Sequence, residues 1–191
     1  MSETTENNGY RIDDVTVVDA QERYCRSHLA VMNAVSHEGK YLSTDKGFSY
    51  GDIISFYKFC LDEGFPQFYV VDDDDRCVGW CDIVARDGQK RTAGYIGLGL
   101  LPEYRDRGIG RRLILYAMDR AREAGFTELR LDCRLSNKRA IHLYKSIGFR
   151  TTAIRPRGLC VDGRRVPIVC MKLKLRPASD KTGRRALRTE P

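Results

Sequence analysis

The residues best suited to chemistry lie in one short loop between a predicted strand and a predicted helix. Gly108 and Gly110 open the helix, and glycine has no Cβ to obstruct a ligand that approaches the backbone. The first amides of a helix lack partners within it and carry partial positive charge. Four arginines crowd the same turn: Arg105, Arg107, Arg111 and Arg112. The loop is therefore predicted to hold a phosphate or pyrophosphate.

Two familiar nucleotide-binding motifs do not fit this loop. A dinucleotide fingerprint requires a third glycine three residues after Gly110, where the chain has Leu113. A P-loop requires Gly-Lys-Ser or Gly-Lys-Thr, which the sequence does not contain. Taken alone, Gly108-Ile109-Gly110 also fits a tight turn between a strand and a helix that binds nothing. The loop thus indicates an anion site of another kind, with a plain turn as the alternative.

Cysteine usage and hydropathy indicate the compartment. The seven cysteines are irregularly spaced, and no second pair of cysteines or histidines accompanies Cys77 and Cys81. We expect reduced thiols and no metal. No apolar run approaches the roughly 18–20 residues of a membrane helix, and the polar start of the sequence has no signal core. The prediction is a cytoplasmic protein with no membrane partner.

The elements that must position the loop follow from hydrophobic spacing and turn residues. A first strand is expected over residues 11–18, followed by a helix with Asp19 and Glu22 as its capping box. Ser49 is expected to cap the second helix. The whole order is β α α β β β α β α β β. It predicts a single α/β domain in which a mixed sheet has helices on both faces.

The net charge of +7 raises the question of a nucleic-acid partner. However, residues 172–191 hold seven basic and only two acidic residues. A solvated tail explains this excess more simply than a nucleic-acid-binding arm does. We predict a disordered tail over residues 1–9, one domain over 10–176, and a basic flexible tail over 177–191.

Several separated motifs give the anion loop a context. Arg105-x-x-Gly108-x-Gly110 is followed by a helix, a strand, Asn137-x-x-Ala140-Ile141-x-Leu143-Tyr144, and Gly148-Phe149. This series resembles the GCN5-related N-acetyltransferase (GNAT) family over residues 94–150, and the rest of the chain resembles it in element order. Residues 131–137 resemble the members that acetylate ribosomal-protein N-termini. The resemblance implies a mixed, mostly antiparallel seven-stranded sheet.

The resemblance also implies a reaction. An N-acetyltransferase of this family moves the acetyl group of acetyl-CoA to a primary amine by direct attack in a ternary complex, without a metal. The resemblance implies that Asn137 contacts the pantetheine arm of the cofactor and that Tyr144 donates a proton to the departing thiolate. The residues implied in cofactor binding are Leu100, Leu101, Arg105, Asp106, Arg107, Gly108, Ile109, Gly110, Arg111, Arg112, Asn137, Ala140 and Tyr144.

The acceptor amine must lose a proton before it attacks, so a base is needed. Asp132 occupies the position where the ribosomal-protein acetylating members carry a glutamate, and its side chain is one methylene shorter. Asp82 is a second candidate because it lies mid-strand beside the expected cleft, and Glu38 and Glu103 remain open. By resemblance, residues 36–50 and 155–165 line the acceptor site.

Rival interpretations remain at this stage. The chain could be an acyl-CoA-binding or sensing module that has lost turnover, or a nucleic-acid or ribosome binder that acts through its basic tail. Members of the GNAT family often form homodimers, and the sequence leaves open whether this chain does. It also leaves the acceptor amine unidentified.

Overall fold

The computed structural model describes residues 9–86 and 92–176. Apart from Gly9, both predicted tails lie outside the described residues. The strands are β1 Tyr10–Ile12, β2 Val15–Asp19, β3 Gln67–Asp72, β4 Cys77–Val84, β5 Ala93–Leu100, β6 Glu128–Arg134, β7 Arg150–Val161 and β8 Arg164–Lys174. The helices are α1 Cys25–His37, α2 Tyr50–Glu63, α3 Ile109–Glu123 and α4 Lys138–Ile147.

These strands form one sheet in the order β1-β2-β3-β4-β5-β6-β8-β7. All neighbours are antiparallel except β5 and β6, which run parallel. Residues 93–95 of β5 pair with residues 128–130 of β6, and the pairing stops there. Because both strands continue beyond this ladder, their carboxyl-terminal halves separate and open a gap in the middle of the sheet.

The described sheet has eight strands, one more than predicted. The expected first strand over residues 11–18 is two strands, β1 and β2, which pair with each other. The chain reverses at Asp13, whose φ is 52°, and aspartate is among the residues that tolerate this left-handed conformation. The sequence signal for this turn is the pair of consecutive aspartates, Asp13 and Asp14, which interrupts the alternation of apolar residues.

The predicted helix caps differ in outcome. The capping box of Asp19 and Glu22 is wrong, since Asp19 ends β2 and the following 3₁₀ turn Glu22–Tyr24 has no side-chain cap. The cap of α2 is confirmed: Ser49 accepts from the Asp52 amide, and the Asp52 carboxylate accepts from the Ser49 amide in return. This box fixes where the chain enters α2.

Helices cover both faces of the sheet, as predicted. Along β3, Phe68 and Val70 contribute to one core, whereas Tyr69 and Val71 contribute to another on the opposite face. Helices α3 and α4 cover the first core, and α1 covers the second. None of the helices within residues 9–86 and 92–176 has the length and apolar character of a membrane span.

His28 of α1 is a buried histidine in the second core. Its ring lies 4.7 Å from that of Tyr69 and 5.7 Å from that of Trp80, and neither ring nitrogen has a hydrogen-bond partner within residues 9–86 and 92–176. Burial lowers the pKa of His28 to about 4, whereas an unfolded histidine titrates near pKa ~6.5. The folded state therefore holds this ring neutral in a range where the unfolded chain binds a proton.

We expect His28 to make the fold sensitive to acid. The contribution of neutral His28 to the free energy of unfolding is complete above the unfolded pKa of ~6.5. It decreases as the pH falls from there towards the folded pKa, and the total loss is about 3 kcal/mol. Urea unfolding at pH 7 and pH 4 should show a smaller loss of unfolding free energy for His28→Leu than for the native chain. His37→Leu, at an exposed position of the same helix, should keep the native dependence; equal losses in all three proteins would contradict the assignment.

Candidate active site

The gap between β5 and β6 opens into a cavity of about 350 Å³. The end of β5, the loop that follows it, the start of α3 and one side of α4 form its walls. Its lining residues are Val35, Tyr41, Leu98, Gly99, Leu100, Arg105, Asp106, Gly108, Gly110, Arg111, Asn137, Arg139, Ala140, His142, Leu143, Tyr144 and Ser146. The sheet register and the strand–helix loop thus meet at one site.

The loop before α3 presents a run of free amides at this cavity. Asp106 and Gly108 have φ values of 60° and 75°, a conformation that turns successive N–H groups towards one side. The N–H groups of residues 106–111 have no hydrogen-bond partner among the described residues. A Cβ built on Gly108 would meet nothing within 4 Å, so the glycine faces open space. This geometry suits an anion with several oxygens.

Arg105 and Arg112, two residues of the predicted cofactor-binding set, have backbone amides that already donate hydrogen bonds within the chain. The Arg105 N–H donates to the Pro102 carbonyl at 3.1 Å, and the Arg112 N–H donates to the Gly108 carbonyl at 3.2 Å. These bonds belong to the turn before the loop and to the first turn of α3. The run of free amides, called the cradle below, therefore extends from residue 106 to residue 111.

The predicted cofactor-binding residues Leu101, Arg107, Ile109 and Arg112 lie outside the cavity lining, as do the candidate bases Asp82 and Asp132. The Leu101 N–H donates to the Val78 carbonyl at 2.9 Å, so it is not free for a ligand. In an antiparallel pair the next amide points the other way, and the Leu100 N–H is therefore directed towards the gap beside β6. Ile109 is fully buried in the core, which leaves only its backbone for binding.

Three of the four arginine side chains hold carboxylates. Arg107 binds Asp14, and Arg112 Nη1 lies 3.2 Å from Asp13 Oδ1. Arg105 donates from Nε to the Leu100 carbonyl at 2.9 Å and pairs with Glu38 through its terminal nitrogens. Arg111 lines the cavity and, among the described residues, bonds to no carboxylate; its guanidinium donates to the Ser146 hydroxyl at 3.1 Å. Arg107 and Arg112 are therefore paired with carboxylates in this structure, and the expectation that all four arginines reinforce an anion site stays a prediction.

Helix α4 supplies the opposite wall. Asn137 Oδ1 caps the helix by accepting from the Ala140 N–H at 3.2 Å, which leaves its amide NH₂ free at the cavity. Tyr144 is buried against Phe149, with ring centroids 5.7 Å apart. The Tyr144 hydroxyl has no hydrogen-bond partner among the described residues, and Tyr144 lines the cavity. The donor predicted for the thiolate is thus available for one.

Asp82 lies on β4, on the sheet face that α1 covers. Its partner on β5 is Gly97, where a Cβ would stand 3.1 Å from Asp82 Oδ1, so the glycine leaves room for the carboxylate. Burial raises the pKa of Asp82 to about 7, while the Trp80 indole lowers it to a smaller extent. A carboxyl group that titrates near neutral pH is suited to accept a proton at physiological pH.

The other candidate bases are engaged or exposed. Asp132 lies on β6 across the gap, and its carboxylate is 3.5 Å from Arg86 Nη1. Glu38 is held by Arg105, which lowers the pKa of its carboxyl below the ordinary value. Glu103 is exposed on the 3₁₀ turn Pro102–Tyr104. Asp82 therefore has the environment that best fits a base.

The two segments predicted to line the acceptor site meet at Asp45, which is also held by Arg134, buried at the end of β6. Its guanidinium donates to the Gly39 carbonyl at 2.7 Å, to the Leu42 carbonyl at 3.0 Å, and to Asp45 Oδ1 at 2.9 Å. The other oxygen of Asp45 accepts from Arg164 at 2.8 Å. The loop between α1 and α2 is thus fastened to both β6 and the β7–β8 hairpin.

Comparison with known proteins decides the family. The profile of the acetyltransferase (GNAT) family matches residues 30–149. The chain belongs to the GNAT acetyltransferase family. The match spans the cavity walls from α1 to the end of α4, so the resemblance inferred from the sequence is confirmed.

Individual GNAT relatives match shorter parts of the chain than the family profile does. A Bacillus subtilis protein is 30% identical over 102 residues, which cover 53% of this chain and 65% of that protein. The [ribosomal protein bS18]-alanine N-acetyltransferase of Escherichia coli K12 is 41% identical over 54 residues, 28% of this chain and 36% of that enzyme. The chain therefore spans less than two thirds of the length of either relative.

Solved structures agree on the fold. A GNAT superfamily phosphinothricin acetyltransferase from Sinorhizobium meliloti, solved in complex with AcCoA, superposes with a TM-score of 0.78 at 19% identity. The superposition covers 87% of this chain and 95% of that one. At this identity the match establishes the architecture alone, and it confirms the predicted GNAT-like mixed sheet.

Sequence reasoning missed part of the GNAT cavity wall. Arg139, His142 and Ser146 of α4 also line the cavity, and Arg139 Nε lies 3.1 Å from Asp106 Oδ1. The three positions share one side of the helix because they are spaced by three and four residues. That spacing, beginning two residues after Asn137, was the available signal.

Within the described ranges, no group of three His, Cys, Asp or Glu side chains is arranged to hold a metal ion. All seven cysteines are free.

Proposed function

We propose that this chain is an N-acetyltransferase that binds acetyl-CoA in the cavity at the end of β5 and transfers the acetyl group to a primary amine. The observation that carries the proposal is the run of unpartnered amides from residue 106 to residue 111 at the mouth of that cavity. These groups fit a pyrophosphate, and Gly108 leaves the approach open.

The residues around the cavity divide the work of direct transfer. Asp82 accepts a proton from the acceptor ammonium, directly or through water, so that the amine has a lone pair. The Leu100 N–H, directed into the gap, donates to the acetyl oxygen as negative charge develops there. Tyr144 donates its proton to the sulfur as the carbon–sulfur bond breaks, and the second proton, which the nitrogen loses on becoming an amide, restores the tyrosine hydroxyl. The amine nitrogen forms its bond to the acetyl carbon in the same complex, without a covalent enzyme intermediate.

The acceptor that the charge arrangement favours is a peptide or protein amine rather than a polyamine. A polyamine carries several positive charges, and binding it requires unpaired carboxylates near the reacting amine. Near the acceptor side, Glu38, Asp45 and Asp132 are each paired with an arginine, namely Arg105, Arg134 and Arg86. The name of the Escherichia coli relative, which acts on an alanine of a ribosomal protein, points in the same direction.

Thermal unfolding with and without acetyl-CoA tests the cofactor site. A ligand at 100 times its dissociation constant stabilises the folded state by about 2.7 kcal/mol, which for this size of domain is a rise of roughly 5–10 °C. Release of CoA should then be faster with a peptide bearing an N-terminal alanine than with spermidine. No thermal shift would overturn the proposal. A shift with no CoA release from either amine would instead favour an acyl-CoA-binding or sensing module.

A further inference from the structure

Gln67 is the side chain directly across the sheet from Asp82. The two residues are register partners on β3 and β4. The neighbouring Ile83 N–H donates to the Pro66 carbonyl at 2.9 Å, and antiparallel pairs alternate in type. Gln67 and Asp82 therefore form a non-hydrogen-bonded pair, the kind in which facing side chains lie closest, with Cβ atoms about 4.5–5.5 Å apart.

The amide group of Gln67 has no partner. The residue is 6% exposed, and neither its Nε2 nor its Oε1 makes a hydrogen bond to any residue that the structure describes. A buried amide without hydrogen-bond partners destabilises the folded state. Because Gln67 is paired with Asp82 in the sheet, its NH₂ group can rotate towards the Asp82 carboxylate on the adjacent strand and donate a hydrogen bond to it.

We infer that Gln67 is a positioning residue for Asp82: its amide N–H donates to the Asp82 carboxylate when that group is ionised and holds it in the orientation that receives the proton of the acceptor. The inference rests on the proposed function, in which Asp82 is the base. Gly97, on the other side of Asp82, has no side chain to compete for the carboxylate.

The surroundings of Asp82 leave this task to Gln67. The titratable groups near it are the thiol of Cys60, from α2, and that of Cys81, the adjacent residue of β4, whose side chain lies on the opposite face of the sheet. Burial raises the pKa of Cys60 to about 12 and that of Cys81 well above its ordinary value, so both are neutral at physiological pH. With the Trp80 indole as the other polar group, the amide of Gln67 supplies a donor that a buried carboxylate needs.

Carbon-13 NMR of the aspartate carboxyls, with Asp82→Asn to assign the signal, tests the inference without an acceptor. Gln67→Met keeps the length of the side chain and removes its donor, so the Asp82 midpoint should rise by about one pH unit. Thermal unfolding with acetyl-CoA checks that the variant folds and binds. An unchanged midpoint in a folded variant would overturn the role of Gln67.

A second substitution covers the case in which the methionine variant does not fold. Gln67→Glu is nearly isosteric and places a second carboxyl opposite Asp82, so the two should titrate as a coupled pair with the upper midpoint raised. Independent, native-like titration of Asp82 would contradict the inference.

Kinetics provide a readout that a purely structural role would not move. With a peptide acceptor, the part of the kcat–pH profile that rises with pH should shift to higher pH by about one unit in Gln67→Met, and kcat should recover at high pH. If native enzyme and Asp82→Asn turn over equally, the proposed base fails, while the NMR titration still decides whether Gln67 controls Asp82.

Discussion

Replacing Tyr144 with phenylalanine is expected to lower kcat by roughly 100-fold or more and to leave the affinity for acetyl-CoA unchanged. The substitution keeps the ring that packs against Phe149 and removes only the hydroxyl. That hydroxyl has no partner among the described residues. The ground state therefore loses little, whereas the transition state loses a donor to the sulfur on which charge develops.

The pH dependence should separate this role from that of the base. Burial raises the pKa of Tyr144 above its ordinary value, so the hydroxyl remains protonated and available as a donor throughout the physiological range. Tyr144→Phe should therefore lower the whole pH profile without moving the limb that Asp82 produces.

A buried tyrosine in the other core supplies a matched control. The Tyr69 hydroxyl contacts Cys25 Sγ at 3.8 Å, and its ring lies in the core beneath α1. Tyr69→Phe should keep near-native kcat despite a similar loss of one buried hydroxyl. If Tyr144→Phe also turned over at a near-native rate, water or another group would have to protonate the thiolate.

Local chemistry explains what the sequence could predict. The anion loop could be predicted from the sequence because glycines and the start of a helix are recognised from a few consecutive residues, and the free amides follow from them. Asn137 likewise signalled both a helix cap and a wall of the cavity. Each of these features needs only a few consecutive residues, so no knowledge of the sheet was required.

Contacts between distant segments explain what the sequence could not predict. Arg107 and Arg112 form ion pairs with carboxylates that lie 93 and 99 residues away in the chain, and no local sequence pattern reveals that pairing. Arg134 reaches Asp45 across 89 residues. The environment of Asp82 depends on the strand register that places Gln67 and Gly97 beside it. Choosing among the candidate bases therefore required the fold.

Replacing Gly108 with glutamate is expected to abolish acetyl-CoA binding, measured as loss of the thermal shift and at least ~100-fold weaker affinity, or about 2.7 kcal/mol. A side chain at Gly108 would extend into the open space in front of the free amides. Its carboxylate would occupy the cradle and repel the pyrophosphate. The φ of 75° also strains any residue other than glycine, so a control must carry the same strain.

Gly125 provides that control at the other end of α3. Its φ is 86°, and a Cβ there would also meet nothing within 4 Å, so Gly125→Glu imposes a similar backbone cost and the same charge away from the cavity. Both variants should unfold at similarly lowered temperatures without ligand, and only Gly125→Glu should regain stability when acetyl-CoA is added. Gly108→Ala, which adds strain without charge or length, should keep most of the response. If Gly108→Glu kept the full response as well, the pyrophosphate would have to bind elsewhere, and the cradle over residues 106–111 would not be the cofactor site.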